Sequence, residues 1–206
     1  MIKPAIFVGS LIPLAVLIVG AFTDNLGADP VETIEHMTGD WALYFLLATL
    51  AVTPLRRLTG WNSVIRLRRM LGLFCFFYVC VHFSAWLVFD HFFDWAEIVK
   101  DIRKRSYVTV GFTAFMLLIP LAITSTNGML RWLGGSRWAR LHSLVYVIGT
   151  LAILHYLWQV KRDIQDPIFY AAILIALLAL RLPKVIKRTL SLGFRMNAPA
   201  TVTTAE

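Results

Sequence analysis

Residues Leu141–Val160 read LHSLVYVIGTLAILHYLWQV, twenty positions without a single Asp, Glu, Lys or Arg. A helix of that length crosses the hydrocarbon core of a bilayer, which needs about 20 apolar residues. The same stretch holds His142 and His155. Ionisable groups inside an apolar span are costly and mark functional positions. Neutral imidazole is a good iron ligand. The structural alternative is a pair of core histidines hydrogen-bonded to neighbouring helices.

The remainder of the chain repeats the pattern. Residues 5–22 form an uncharged span after Lys3. No small-residue cleavage motif follows it, so it reads as a retained helix rather than a signal peptide. A polar acidic loop, 24–40, comes next, with Gly27, Pro30 and Gly39 as breakers and room for a short surface helix over 33–36. Residues 41–55 are apolar but short for a span, so that helix is expected to begin inside the loop and to end at Pro54. The third span is 70–89, with His82 its only ionisable group apart from Cys75 and Cys80. A mixed loop covers 90–105, and His91 there, like His36, reads as a solvated histidine. Residues 106–130 are uncharged, and Pro120 kinks or ends that fourth helix. Residues 167–180 form a sixth, short span, with Pro167 suited to its first turn. The expected fold is all-α: a six-helix transmembrane bundle over 1–182, followed by a basic cytoplasmic tail, 183–206. Composition agrees, being 58% hydrophobic and only 16% charged, with mean hydropathy +0.70.

The net charge of +8 suggests nucleic acid until its placement is considered. With six spans, 14 Lys and Arg fall on the side of the termini and 6 on the other, while the acids divide 1 to 11. That is a membrane-topology signal, placing both termini in the cytoplasm and excluding a nucleic-acid partner. Two cysteines in one apolar stretch make neither a disulfide framework nor a zinc site.

Depth along the spans then sorts the histidines. His82 lies about 18 Å and His155 about 21 Å from the inner ends of their helices, at ~1.5 Å per residue. Two imidazoles level with one another on two helices are how a bundle core holds a six-coordinate haem. His142 lies ~20 Å below His155 and, at ~100° per residue, on nearly the opposite face of an ideal helix. The residue of the third span level with His142 is Arg69, which cannot ligate iron. Arg68 and Arg69 are candidate haem-propionate partners, because guanidinium matches carboxylate geometry; plain positive-inside anchoring is the simpler alternative.

Several stretches carry a family resemblance: LGADPVETIEHMTGDWAL (26–43), TPLRR (53–57), RRMLGL (68–73), VHFSAW (81–86), TSTNGMLRWLG (124–134), RLHSLVYVIG (140–149) and LHYLW (154–158). They resemble the ferric-reductase-like transmembrane domain and, more closely, the haem-binding membrane subunit of the bacterial periplasmic protein-methionine-sulfoxide reductase system. The resemblance implies six helices in the bacterial inner membrane, b-type haem (one, or two if His142 serves a second) and flavin mononucleotide, FMN. It implies His82, His142 and His155 as iron ligands. It also implies electrons drawn from the quinone pool or a cytosolic flavin reductase and passed to a periplasmic molybdenum-containing reductase subunit. The chain would then be an electron-transfer subunit rather than the catalytic one. Independently, no cytoplasmic segment is long enough for a dinucleotide-binding fold, and no G-x-G-x-x-G occurs. A transmembrane ferric or cupric reductase is the competing function in the same fold. A small transporter or proton channel is the competing class, though internal repeats and midplane acids are lacking. For the topology, an alkaline phosphatase fusion at Glu206 is expected to be inactive and a cytoplasmic reporter active; the reverse pattern would overturn the six-span reading.

Overall fold

The computed structural model describes residues 2–160 and 164–181. Residues 161–163 and those from 182, including the expected basic tail from 183, lie outside the described residues. Among the described residues the fold is helical throughout, without strands. Five segments are long and apolar enough to cross a membrane: Lys3–Phe22, Pro30–Thr59, Asn62–Asp90, Ser106–Ile123 and Gly135–Gln159. The last apolar helix, Gln165–Ala179, is shorter.

Helix α1 (Ile2–Phe22) is followed by α2 (Pro30–Thr59), a single helix of 30 residues. Most of the expected acidic loop is therefore helix. Asp29 caps it, its Oδ1 accepting the Glu32 N–H at 3.0 Å, and Pro30 occupies the first turn, where a missing N–H costs nothing. The expected surface helix over 33–36 is simply the start of α2. Pro54 does not end it. Proline removes the donor that Leu50 O would otherwise receive, and the buried Arg181 guanidinium donates to that carbonyl instead. The stop comes at Gly60, in the left-handed conformation at φ 71°, whose N–H reaches Arg56 O at 3.0 Å.

Helix α3 (Arg68–Ala85) continues into a π-helical turn, Trp86–Asp90. The expected mixed loop then contains α4 (Trp95–Lys104), capped by Asp94, whose Oδ1 accepts from the Ala96 and Glu97 N–H groups. Helix α5 (Ser106–Ile123) carries Pro120 in its last turn. That helix ends three residues later, as expected of Pro120, and Thr126 caps a separate short helix, α6 (Asn127–Leu133). The opening stretch is also divided. Helix α7 (Gly135–Leu141) passes through a 3-10 turn, His142–Leu144, into α8 (Val145–Gln159). Helix α9 (Gln165–Ala179) closes the described chain.

The packing runs chiefly α2 on α3 and α5 on α8. Leu43, Phe45, Leu46, Leu50, Phe74, Cys75, Leu118 and Ile148 form the shared core. Both cysteines are free, and Cys75 is buried in the core. At one end of the bundle, Arg57 of α2 donates to Leu180 O at the end of α9 (3.0 Å), and Arg69 donates to Asn127 Oδ1 (2.7 Å). At the other end lie the termini of α5 and α8 that carry Tyr107 and Gln159, together with the start of α2.

Tyr78 shows how α1 is attached. It is fully buried, stacked on Phe45 with centroids 5.4 Å apart. Its hydroxyl donates to Ser10 O (2.7 Å) and accepts the Leu14 N–H (3.3 Å). Those two groups would otherwise bond each other, so the phenol is wedged into the helix ladder next to Pro13. Tyr78→Phe is expected to keep the stacking and lose the wedge, costing about 1 kcal/mol. A thermal midpoint in detergent equal to wild type would show that the wedge contributes nothing.

Candidate functional site

One cavity of about 220 Å³ runs between α2, α3, α5 and α8. Its walls are apolar, built from Leu43, Leu46, Val79, Phe115, Leu118 and Ile148 among others. Its mouth is polar and acidic, with Glu35, His36, Asp40, Asp90 and Gln159.

The cavity is where His82 and His155 meet. Their ring centroids stand 6.2 Å apart, nearly perpendicular at 78°. With metal–nitrogen bonds of about 2 Å and a ring nitrogen about 1 Å from its centroid, two imidazoles on opposite sides of one metal stand about 6 Å apart. The remaining nitrogens are already committed. His82 Nδ1 lies 2.9 Å from Glu35 O of α2, and His155 Nδ1 lies 2.8 Å from Tyr107 O of α5. A carbonyl only accepts, so each Nδ1 carries the proton and each Nε2 keeps its lone pair. This is the outer-sphere arrangement that metal-bound histidines adopt, and it fixes both tautomer and ring direction. The donor set therefore fits a haem iron. No cluster of three or more His, Cys, Asp or Glu that would suit a metal ion held by side chains alone occurs among the described residues.

Two glycines make the arrangement possible. A Cβ on Gly39 would stand 3.3 Å from His82 Cε1, and one on Gly111 would stand 2.7 Å from His155 Nδ1. Each imidazole thus lies against a bare stretch of the helix that supplies its carbonyl partner, displaced by about one helical turn. Spacing along the chain does not expose these residues, since the contacts are made between helices. The only trace is a glycine within the uncharged run of α5.

The other expected site residues are elsewhere. His142 does not line the cavity. Its ring stacks on Trp138 at 3.8 Å, its Nε2 lies 3.4 Å from Ser125 Oγ, and its Nδ1 is buried without a partner. The 3-10 turn at His142–Leu144 interrupts the helix between the two histidines. Arg68 and Arg69 begin α3, about 20 Å along it from His82. Neither lines the cavity, so neither reaches the propionates of a haem held by His82. His36 is exposed and contacts Gln159 Nε2 at 3.3 Å. His91 corrects the expectation of a solvated side chain. It is 11% exposed, 3.3 Å from Asp101 Oδ2 and edge-on to Trp86 at 4.4 Å. Burial under α4 removes it from water, a contact that a loop reading of 90–105 does not contain.

The glycine contacts generate a graded expectation. Gly111→Ala should displace the His155 ring and reduce haem per mole of protein severalfold, whereas Gly39→Ala, with a looser contact, should reduce it much less. A pyridine haemochrome assay reads both; equal haem in Gly111→Ala and wild type would remove the role given to that glycine.

The sequence profile of the ferric reductase like transmembrane component matches residues 38–153. The protein-methionine-sulfoxide reductase heme-binding subunit MsrQ of Herminiimonas arsenicoxydans is 58% identical over 183 residues, covering 88% of this chain and 84% of that protein. The MsrQ subunit of Rhodospirillum rubrum is 50% identical over 184 residues, covering 89% and 88%. That of Ralstonia nicotianae is 53% identical over 182 residues, covering 87% and 84%. No solved structure matches. With more than half of its length inside the family profile and relatives this similar along most of both chains, the chain belongs to the MsrQ family of ferric-reductase-like transmembrane components.

Proposed function

We propose that this chain is the haem b electron-transfer subunit of a periplasmic methionine-sulfoxide reductase system, carrying electrons outward across the bacterial inner membrane. The observation that carries the reading is the His82–His155 pair. Both Nδ1–H groups are bound to backbone carbonyls, and the rings stand at the separation that one metal requires. The names of the relatives supply the reductase system. Haem b contributes a reversible one-electron iron couple when bound. The protein's part is to hold both ligands in place and to keep water from the cavity walls. Backbone carbonyls fix both imidazoles before any metal binds, so little rearrangement accompanies a change of iron charge.

In this reading the chain crosses the membrane six times, α9 being the sixth and shortest span, with both termini in the cytoplasm. The His82–His155 cavity then lies toward the periplasm. Its mouth opens at the acidic end, where a molybdenum-containing reductase subunit that repairs oxidised proteins would receive the electron. The basic end holds His142, Arg68 and Arg69. It faces the quinone pool or a cytosolic flavin reductase, the donors that the resemblance implies. FMN, and a second haem on His142, belong to the same reading through the resemblance alone. A ferric or cupric reductase is the second reading, favoured by the description of the matched family profile. Co-purification with a periplasmic reductase, or its failure, separates the two.

The ligand variants test the centre. His82→Ala and His155→Ala should each abolish the low-spin haem spectrum and reduce electron transfer to background. The double variant should be little worse, because residues acting as a unit are strongly non-additive. His142→Ala should leave the low-spin signal of the His82–His155 centre intact, losing only the share of haem that His142 itself holds. A full low-spin spectrum in His82→Ala would reject the pairing.

A further inference from the structure

His82 and His155 rest on the same local pattern of helix, with one difference. In α2 the accepting carbonyl belongs to Glu35, and the bare position against the ring is Gly39, four residues on. In α5 the carbonyl belongs to Tyr107, and the bare position is Gly111, again four residues on. Residues three and four apart are neighbours on a helix surface. The third position of each pattern is Thr38 in α2 and Val110 in α5. Threonine and valine are alike in shape and differ by a hydroxyl. Thr38 is buried at 0% exposure. Its Oγ1 lies 2.7 Å from Ile34 O, 3.1 Å from Glu35 O and 3.4 Å from His82 Nδ1.

A hydroxyl has one proton to give, and the nearest acceptor, Ile34 O, takes it in the back-bond common to helical threonines. Lone pairs of Oγ1 then remain on the side of His82, whose Nδ1–H already reaches Glu35 O at 2.9 Å. No water competes at a fully buried position, and a low dielectric strengthens even a secondary N–H···O contact. His82 thus presents its Nδ1–H to a carbonyl and a hydroxyl. Among the described residues the acceptor for His155 Nδ1 is the Tyr107 carbonyl. An acceptor on Nδ1–H makes the imidazole a stronger electron donor through Nε2, and hydrogen bonds of this outer sphere tune the metal. We propose that Thr38 is a positioning residue that strengthens His82 as a ligand and makes the two axial histidines unequal. A stronger donor favours ferric over ferrous iron, so the Thr38 hydroxyl lowers the midpoint potential and makes the reduced centre a better electron donor. This rests on the reading of His82 and His155 as ligands of one haem.

The test uses the full chain with its haem in nanodiscs, titrated by spectroelectrochemistry, with haem content measured alongside. The signal followed is the low-spin component that His82→Ala removes. Thr38→Val gives both helices the same pattern. Poised at the wild-type midpoint potential, it is expected to show a severalfold larger ratio of reduced to oxidised haem. Thr38→Ser, which keeps the hydroxyl, should return the ratio to that of wild type. Val110→Thr adds a hydroxyl beside the other carbonyl and should move the ratio severalfold the opposite way. A threonine that only satisfies its own hydroxyl would leave the potential in place, so an unshifted Thr38→Val with full haem overturns the proposal. So does a Thr38→Ser shifted as far as Thr38→Val, which would assign the effect to packing. If Thr38→Val fails to fold or to hold haem, Val110→Thr decides by its sign, and an unchanged or raised ratio there overturns the proposal. A low-spin spectrum that survives His82→Ala rejects the histidine pairing itself, and this inference with it. Unshifted potentials with that pairing intact reject the role of Thr38 alone.

Discussion

The centre of this protein depends on two hydrogen bonds from imidazole to backbone. In an apolar bundle a histidine ring is free to turn unless something fixes it, and an unpartnered N–H there is costly. Glu35 O and Tyr107 O take the Nδ1 protons of His82 and His155. That choice sets the tautomer, aims both Nε2 lone pairs away from the helices that bind Nδ1, and ties α3 to α2 and α8 to α5. The close approach this needs is permitted by Gly39 and Gly111. The packing of four helices and the geometry of the histidine pair are thus one arrangement.

Prolines recur in the long helices, and the backbone groups near them find other uses. Beside Pro13, the phenol of Tyr78 enters the ladder between Ser10 and Leu14. At Pro54, the carbonyl of Leu50 receives the guanidinium of Arg181 and binds the end of α9 to α2. Near Pro120, the Thr124 and Ser125 hydroxyls donate to Pro120 O and Leu121 O as α5 ends. Where no water is available, freed carbonyls must be paired within the protein, and here the first two pairings also join distant helices.

Charge is sorted by end. Acids surround the mouth of the His82–His155 cavity, while arginines crowd the end that holds His142. Some of the acids at that end are paired within the chain: Asp101 meets both His91 and Arg105, and Glu97 meets Lys100. The basic end has no carboxylate among its described residues with which to do the same. The two ends are therefore chemically different.

Much of this is legible in the sequence because a helix converts residue number into distance along an axis. The uncharged runs place the apolar helices, and the rise per residue sets His82 and His155 level, as the structure finds them. The charge counts separate the two ends. Contact between helices is not encoded that way. So the sequence leaves open that His142 stacks on Trp138 and that His91 packs under α4. Proline and glycine misled for the same reason: Pro54 breaks a helix unless a partner arrives for Leu50 O, and Gly39 marks a loop unless a ring needs its space. Only tertiary packing decides whether that partner and that ring are present.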